Sequence, residues 1–276
     1  MTDNEIAFER CKEKLQEGMY ELALFAGAGG GILGAILRGH TIIGAIEIES
    51  YPREVLLARQ RDGILPAFPV WDDVRTFRTE NPECAEYIKL LRTVRDNLVI
   101  SGGFPCQDIS TAGKGAGLAG NRSGLWNEMA RIIGEIRPRF ALVENSPMLA
   151  IRGGVRVAAD LAKMGYDARW GALGGFAAGG CSNGERLWFI TNEADSKRQY
   201  QTQIPSAVVN PEKSSRRQFE RAISACSSAE AHARMLRNPD GLAREMDRLA
   251  AIGNGQDPAV VDLAWEILGQ QNKDSK

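Results

Sequence analysis

Short runs of consecutive apolar residues recur along this chain, separated by stretches in which apolar residues return every three or four positions. Glu21–Ala26, Ile42–Ile46, Leu98–Ile100, Phe140–Val143, Tyr166–Leu173 and Leu187–Ile190 read as strands, most of them buried. The spacing predicts helices running up to Leu37, over 50–61, 83–92 and 153–164, and from Leu125 through Met129, Ile132, Ile133 and Ile136. A last helix carries Val260, Val261, Ala264, Ile267 and Leu268 on one face. Strands that alternate with helices predict an α/β fold. Ahead of it, Phe8, Cys11, Leu15 and Met19 fall at helical intervals among charges and predict an amphipathic helix packed on the domain from outside. From 192 to 237 no strong periodicity is present.

Composition narrows this picture. The chain's 276 residues suffice for one large α/β domain, alone or with a small module. Its 43% hydrophobic and 25% charged residues are those of an ordinary soluble protein. No window approaches the ~20 apolar residues of a membrane span, and the polar opening Met1-Thr2-Asp3-Asn4-Glu5 is unlike a signal peptide, so a cytoplasmic protein is expected. Cys11, Cys84, Cys106, Cys181 and Cys226 are odd in number and scattered, with no Cys-x-x-Cys pair, which argues against a disulfide framework or a metal site. His40 and His232 are the two histidines, leaving a Cys/His hydrolase few possible bases. The net charge of −1 does not advertise nucleic-acid binding. Yet Lys197 to Arg244 holds nine bases against four acids, a natural place for phosphate contacts, although a solvated surface would read the same from charge alone.

Candidate chemistry gathers at the ends of the predicted strands. After the first comes Gly27-Ala28-Gly29-Gly30-Gly31-Ile32-Leu33-Gly34, where Gly29, Gly31 and Gly34 satisfy the G-x-G-x-x-G spacing. Such a turn lets a ligand approach bare backbone at a helix N-terminus, and leaves open a nicotinamide cofactor or S-adenosylmethionine. The second strand ends near Glu47 and Glu49, either of which could accept hydrogen bonds from ribose hydroxyls. Leu98–Ile100 opens into Gly102-Gly103-Phe104-Pro105-Cys106-Gln107, and a cysteine just past a strand end, after paired glycines, is a candidate nucleophile; a small buried apolar residue is the alternative. Some fifteen polar, glycine-rich residues follow before Leu125, the length of a functional lid. Glu144, at the end of the Phe140–Val143 strand, shares the sheet edge from which Cys106 emerges.

The stretch from Gly102 to Gln107, with Ser110 and then Gly-x-Arg-Ser-Gly-Leu-Trp at 120–126, resembles the catalytic loop of the DNA (cytosine-5) methyltransferases, in their short bacterial or phage form. Other elements are similar to the family's and follow in its order. They are Phe25-Ala26-Gly27-Ala28-Gly29-Gly30, Trp71-Asp72-Asp73-Val74, Glu144-Asn145-Ser146 and Gly253-Asn254-Gly255. The family's Gln-x-Arg-x-Arg element reads Ser182-Asn183-Gly184-Glu185-Arg186, so Arg186 survives and Gly184 stands in place of the other arginine. The resemblance spans roughly 20–191 and 235–268.

The resemblance implies a Rossmann-like S-adenosylmethionine-dependent methyltransferase fold with a mostly parallel sheet. The catalytic domain would comprise 1–191 and 248–276, with a small target-recognition region at 192–247. It implies methyl transfer to carbon 5 of cytosine in double-stranded DNA by a monomeric enzyme. Cys106 would add to carbon 6, Glu144 would share a proton with ring N3, and Arg186 would orient base and carboxylate. Phe25, Gly27 and Gly29 would line the cofactor, with Glu47 on the ribose, Ile48 on the adenine, Asp73 or its neighbour Asp72 on the adenine amino group, and Asn254 near the methionine end. Gln107, Ser110 and Arg122 would meet DNA, the loop between Gln107 and Asn121 closing over a flipped-out base. A nicotinamide-dependent oxidoreductase would leave the Phe-Pro-Cys-Gln loop unexplained. A catalytically silent DNA-binding relative is the reading Gly184 suggests, and no residue excludes an RNA substrate.

Overall fold

The structure, a computed structural model, describes residues 18–105, 125–179, 184–193 and 255–269. The chain divides into two compact units, 1–194 with 254–276, and 195–253. Every described residue belongs to the first. The expected N-terminal helix, the catalytic loop from Cys106 onward, Asn254 and the whole second unit lie outside the described residues.

Among the described residues seven strands form one sheet: β1 (Tyr20–Leu24), β2 (Thr41–Ile46), β3 (Val70–Trp71), β4 (Leu98–Gly103), β5 (Phe140–Asn145), β6 (Tyr166–Leu173) and β7 (Arg186–Glu193). Their spatial order is β3-β2-β1-β4-β5-β7-β6; the first five are parallel, and β7 runs antiparallel to both its neighbours. The helices are α1 (Gly30–Leu37), α2 (Ser50–Arg61), α3 (Pro82–Thr93), α4 (Leu125–Ile136), α5 (Leu149–Arg152), α6 (Gly154–Lys163) and α7 (Pro258–Leu268). Among the described residues no helix is long and apolar enough to cross a membrane.

The core lies on both faces of the sheet, as alternation along the strands requires. Leu22, Leu24, Ile100, Ala141 and Val143 point to one side, against Ile88 and Leu91 of α3, Met129, Ile132 and Ile133 of α4, and Val157 and Leu161 of α6. On the other side Ala23, Ile42 and Ala45 meet Ile32 and Ala35 of α1 and Leu56 of α2, while Val99, Leu142 and Trp188 meet Val260, Val261 and Ala264 of α7. Helix α7 starts where Pro258 follows the capping Asp257, whose side chain accepts from Ala259 N at 3.0 Å. It lies against α1 so closely that a Cβ on Gly34 would come within 2.6 Å of Val261 Cβ.

Three boundaries differ from the pattern. Strand β1 stops at Leu24 because Phe25 has φ 52°, outside the extended region. The predicted 153–164 helix is α6, starting one residue later at Gly154, and a separate turn that the pattern does not predict, α5, precedes it across Gly153, whose φ is 153°. Strands β4 and β5 run on through Gly103 and Asn145, because the pairs Gly102↔Val143 and Gly103↔Glu144 keep their polar and glycine ends in register.

Candidate active site

Parallel pairing brings the C-terminal ends of β1, β2, β4 and β5 to one edge, with Leu24 opposite both Ile46 and Gly102, and Gly103 opposite Glu144. From β1 the chain passes to β2 and β3 on one side, whereas β4 and β5 lie on the other. The order therefore reverses between β1 and β4, and a crevice opens outside the strand ends at such a switch point. Here it is lined by the end of β1 and the turn after it, from Ala23 to Gly27, by Ser101, Gly102 and Gly103 of β4, and by Glu144 and Gln256.

The turn that leaves β1 fits a ligand brought close to backbone. Phe25 holds a positive φ that a bulky residue rarely adopts, and Gly27 (φ 53°) and Gly29 (φ 94°) follow in the left-handed region. At Gly27 an added Cβ would meet nothing within 4 Å, so the backbone there faces open space. Of the two acids after β2, Glu47 is buried and Glu49 is exposed. The Glu47 carboxylate accepts from Gly27 N at 2.6 Å and from Glu49 N at 2.8 Å, which ties the glycine turn to the end of β2. Burial holds its pKa above the usual carboxylate value against those two donors. Ile48 beside it is 49% exposed, an apolar face presented to solvent. After β3, Asp72 is exposed and Asp73 half-buried; Asp73 accepts from Arg75 N and Nε, and that guanidinium keeps its pKa low. An open glycine turn, a buried acid, an exposed apolar residue and a second acid make a donor and acceptor set suited to a nucleoside joined to a polar chain.

The chemistry at the other end centres on Glu144, which is 6% exposed. Its carboxylate faces Gly103, where a Cβ would overlap Oε2, so the paired glycines of β4 leave the acid its room. Arg186 starts β7, and because β7 is antiparallel its first residues reach the same edge; its Nε lies 3.2 Å from Glu144 Oε1. Gln256 Nε2 is 3.4 Å from Oε2. Burial dominates over both partners and pushes the Glu144 pKa up to about 7. The next residue, Asn145, donates from Nδ2 to the Phe104 carbonyl at 2.8 Å, clamping the backbone two residues before Cys106. Phe104 packs against Trp126 with ring centroids 5.7 Å apart, and Trp126 Nε1 donates to Asp160 Oδ2 at 3.0 Å. The residues flanking 106–124 are thus fixed to each other and to α6.

Of the residues singled out from sequence, Phe25, Gly27, Gly29 and Glu47 gather at the glycine turn with Ile48 beside them, and Glu144 and Arg186 are in contact across the β5–β7 pair. Asp73 stands on the segment after β3 in its ion pair with Arg75. Cys106, Gln107, Ser110, Arg122 and Asn254 lie outside the described residues. Two further residues belong to the site. Asn145 stands in the sequence only as part of a motif, and Gln256, two positions after Asn254, carries no signal in a single sequence beyond being polar next to a glycine.

A doubly wound sheet with an antiparallel seventh strand, a glycine turn at its switch point, an acid after β2 and another at the C-terminal end of β5 is a Rossmann-like S-adenosylmethionine-dependent methyltransferase fold. Within that class the chain belongs to the C-5 cytosine-specific DNA methylase family, whose sequence model matches residues 19–239. It is similar to the type II methyltransferase M2.BsuMI of Bacillus subtilis, 31% identical over 156 residues that make up 54% of this chain and 35% of that protein. The type II methyltransferase M.Sau96I of Staphylococcus aureus is 28% identical over 191 residues, 67% of this chain and 42% of that protein. M.HgiGI of Herpetosiphon aurantiacus, also named a type II methyltransferase, is 33% identical over 128 residues, 46% of this chain and 90% of that protein. The chain thus matches about a third to two fifths of the length of the first two relatives. Among solved structures, a mutant of Spodoptera frugiperda DNMT2 superposes with a TM-score of 0.50 at 14% identity, over 67% of this chain and 53% of that one, a likeness of fold.

Proposed function

We propose that the protein transfers a methyl group from S-adenosylmethionine to carbon 5 of cytosine in double-stranded DNA. The observation that carries this reading is the pairing of Gly103 with Glu144. It sets a buried carboxyl with a pKa of about 7 beside the strand end that continues through Phe104 and Pro105 into Cys106.

The proposed chemistry follows from what each side chain can do. The Cys106 thiolate forms a bond to carbon 6 of the flipped-out base, and the displaced electron pair makes carbon 5 nucleophilic. Glu144 shares its proton with ring N3 as negative charge builds there, which a carboxyl with a pKa near neutrality can do at physiological pH. Bound S-adenosylmethionine supplies the methyl group as an electrophile. Carbon 5 then gives up its proton to a base, the electron pair of that bond restores the ring double bond, and the sulfur leaves carbon 6 as thiolate. Arg186, on Glu144 Oε1, orients the carboxyl; its presence favours an active enzyme over a silent relative despite Gly184. In the cofactor site Glu47 would take the ribose hydroxyls, Ile48 and Asp73 the adenine, and Phe25, Gly27, Gly29 and Asn254 the remainder. The closing loop would bring Gln107, Ser110 and Arg122 to DNA, and residues 192–247 would read the target as part of a monomer.

The test is incubation with methyl-labelled S-adenosylmethionine and, separately, mixed-sequence duplex DNA and RNA, followed by separation of the product nucleosides. Label in 5-methyldeoxycytidine is expected. Label confined to RNA, or transfer to neither polymer by folded protein, would overturn the reading.

A further inference from the structure

Gln256 belongs to the segment that returns from the second unit and leads into α7, far in sequence from the strands it meets. Three glycines on two elements make room for it. A Cβ on Gly30 would overlap its backbone carbonyl, a Cβ on Gly31 would overlap its side-chain oxygen, and a Cβ on Gly103 would come within 3.1 Å of Nε2. The amide therefore lies between the N-terminal turn of α1 and the Glu144 carboxyl, with Nε2 3.4 Å from Oε2. The electrostatics agree with that orientation. A helix N-terminus presents N–H groups and positive potential to the amide oxygen, while an ionised carboxylate can only accept from the amide nitrogen.

We propose that Gln256 is a positioning residue for Glu144, supplying from the C-terminal segment the second donor to the carboxyl at a site where Gly184 brings none. This rests on the methyltransferase reading. With Arg186 on Oε1 and Gln256 on Oε2, the carboxyl plane is held from both sides, and a rotation that carried Oε2 away from Gly103 would break one contact or the other. Among the described residues the ionisable group acting on Glu144 is Arg186, and the Gln256 donor adds to it in favouring the charged form. The same side chain lies against Gly31 at the glycine turn, so that turn and the carboxyl share one neutral link.

The test is direct titration of Glu144 in the cofactor-free full chain by infrared difference spectroscopy, the band assigned by its loss in Glu144→Gln. Gln256→Met keeps the length of the side chain and removes the donor. It is expected to move the Glu144 midpoint upward by about one pH unit, roughly tenfold in proton affinity. Gln256→Glu, which sets an acceptor beside an acceptor, is expected to move it further in the same direction. In turnover, Gln256→Met is expected to lower kcat about tenfold with a smaller change in the KM for DNA, and since the higher Glu144 pKa enlarges the protonated fraction at neutral pH, that loss reads positioning and not protonation. Thermal unfolding of each variant separates loosened packing from lost positioning. A midpoint unchanged in both variants overturns the proposal, even if both melt earlier. Should the wild-type chain methylate no DNA, the functional reading falls, while the titration still decides whether Gln256 acts on Glu144.

Discussion

Replacing Glu144 by glutamine should make the protein's stability less sensitive to pH in one direction and over one window. Folded, the carboxyl has its pKa pushed up to about 7, from an ordinary 4.5, because burial outweighs the Arg186 guanidinium and the Gln256 amide. The folded state therefore binds this proton more tightly than the unfolded one, so the stability that Glu144 contributes is full below about pH 4.5, falls as pH rises to about 7 and changes no further above it. A gap of that size corresponds to about 3 kcal/mol, a large share of the net stability of a typical domain. The amide that Glu144→Gln introduces does not titrate, and it can still offer oxygen to Arg186 Nε and N–H to a turned-over Gln256. In urea unfolding followed by tryptophan fluorescence, the variant's stability relative to wild type should rise by about 3 kcal/mol between pH values of about 4.5 and 8. If the Arg186 pair governed Glu144 instead, the folded pKa would be depressed and wild type would gain on the variant as pH rises. A gap of that opposite sign, or one independent of pH, would refute the reasoning.

Other substitutions separate chemistry from packing. Asn145→Ala removes the buried hydrogen bond to the Phe104 carbonyl, and should cost about 1–3 kcal/mol in chemical denaturation and lower methyl transfer through the loosened Pro105–Cys106 backbone. Gly103→Ala puts a Cβ into Glu144 Oε2; methyl transfer should fall at least a hundredfold, with a circular dichroism spectrum like that of wild type, and undiminished activity would show that Glu144 need not stay where it is. Gly34→Ala presses on Val261 between α1 and α7, and is expected to destabilise by about 1–3 kcal/mol while the Glu144 titration stays in place.

The middle of the sheet is legible from sequence because its central strands are apolar on both faces, so that runs such as Leu98–Ile100 and Phe140–Val143 stand out without alternation. The two-residue β3 was not, being too short to show a pattern. At strand ends the pattern also failed, since Gly102, Gly103, Glu144 and Asn145 are polar or small for the sake of the crevice and not of the core. Glu144 could be named from its place after a strand, and its contact with Arg186 follows from the antiparallel course of β7. Asp73 could be preferred over Asp72 on the resemblance, and it is also the half-buried one of the two. Gln256 could not have been found, because its neighbours Gly31, Gly103 and Glu144 are brought to it by tertiary packing across more than a hundred residues.

The central claim is that the protein methylates cytosine in DNA through Cys106. Bisulfite sequencing of DNA from cells expressing the wild-type chain or Cys106→Ala tests it most directly. The account predicts cytosines at a recurrent sequence protected from conversion with the wild type and none with the variant. Complete conversion in both samples, or equal protection in both, would contradict it.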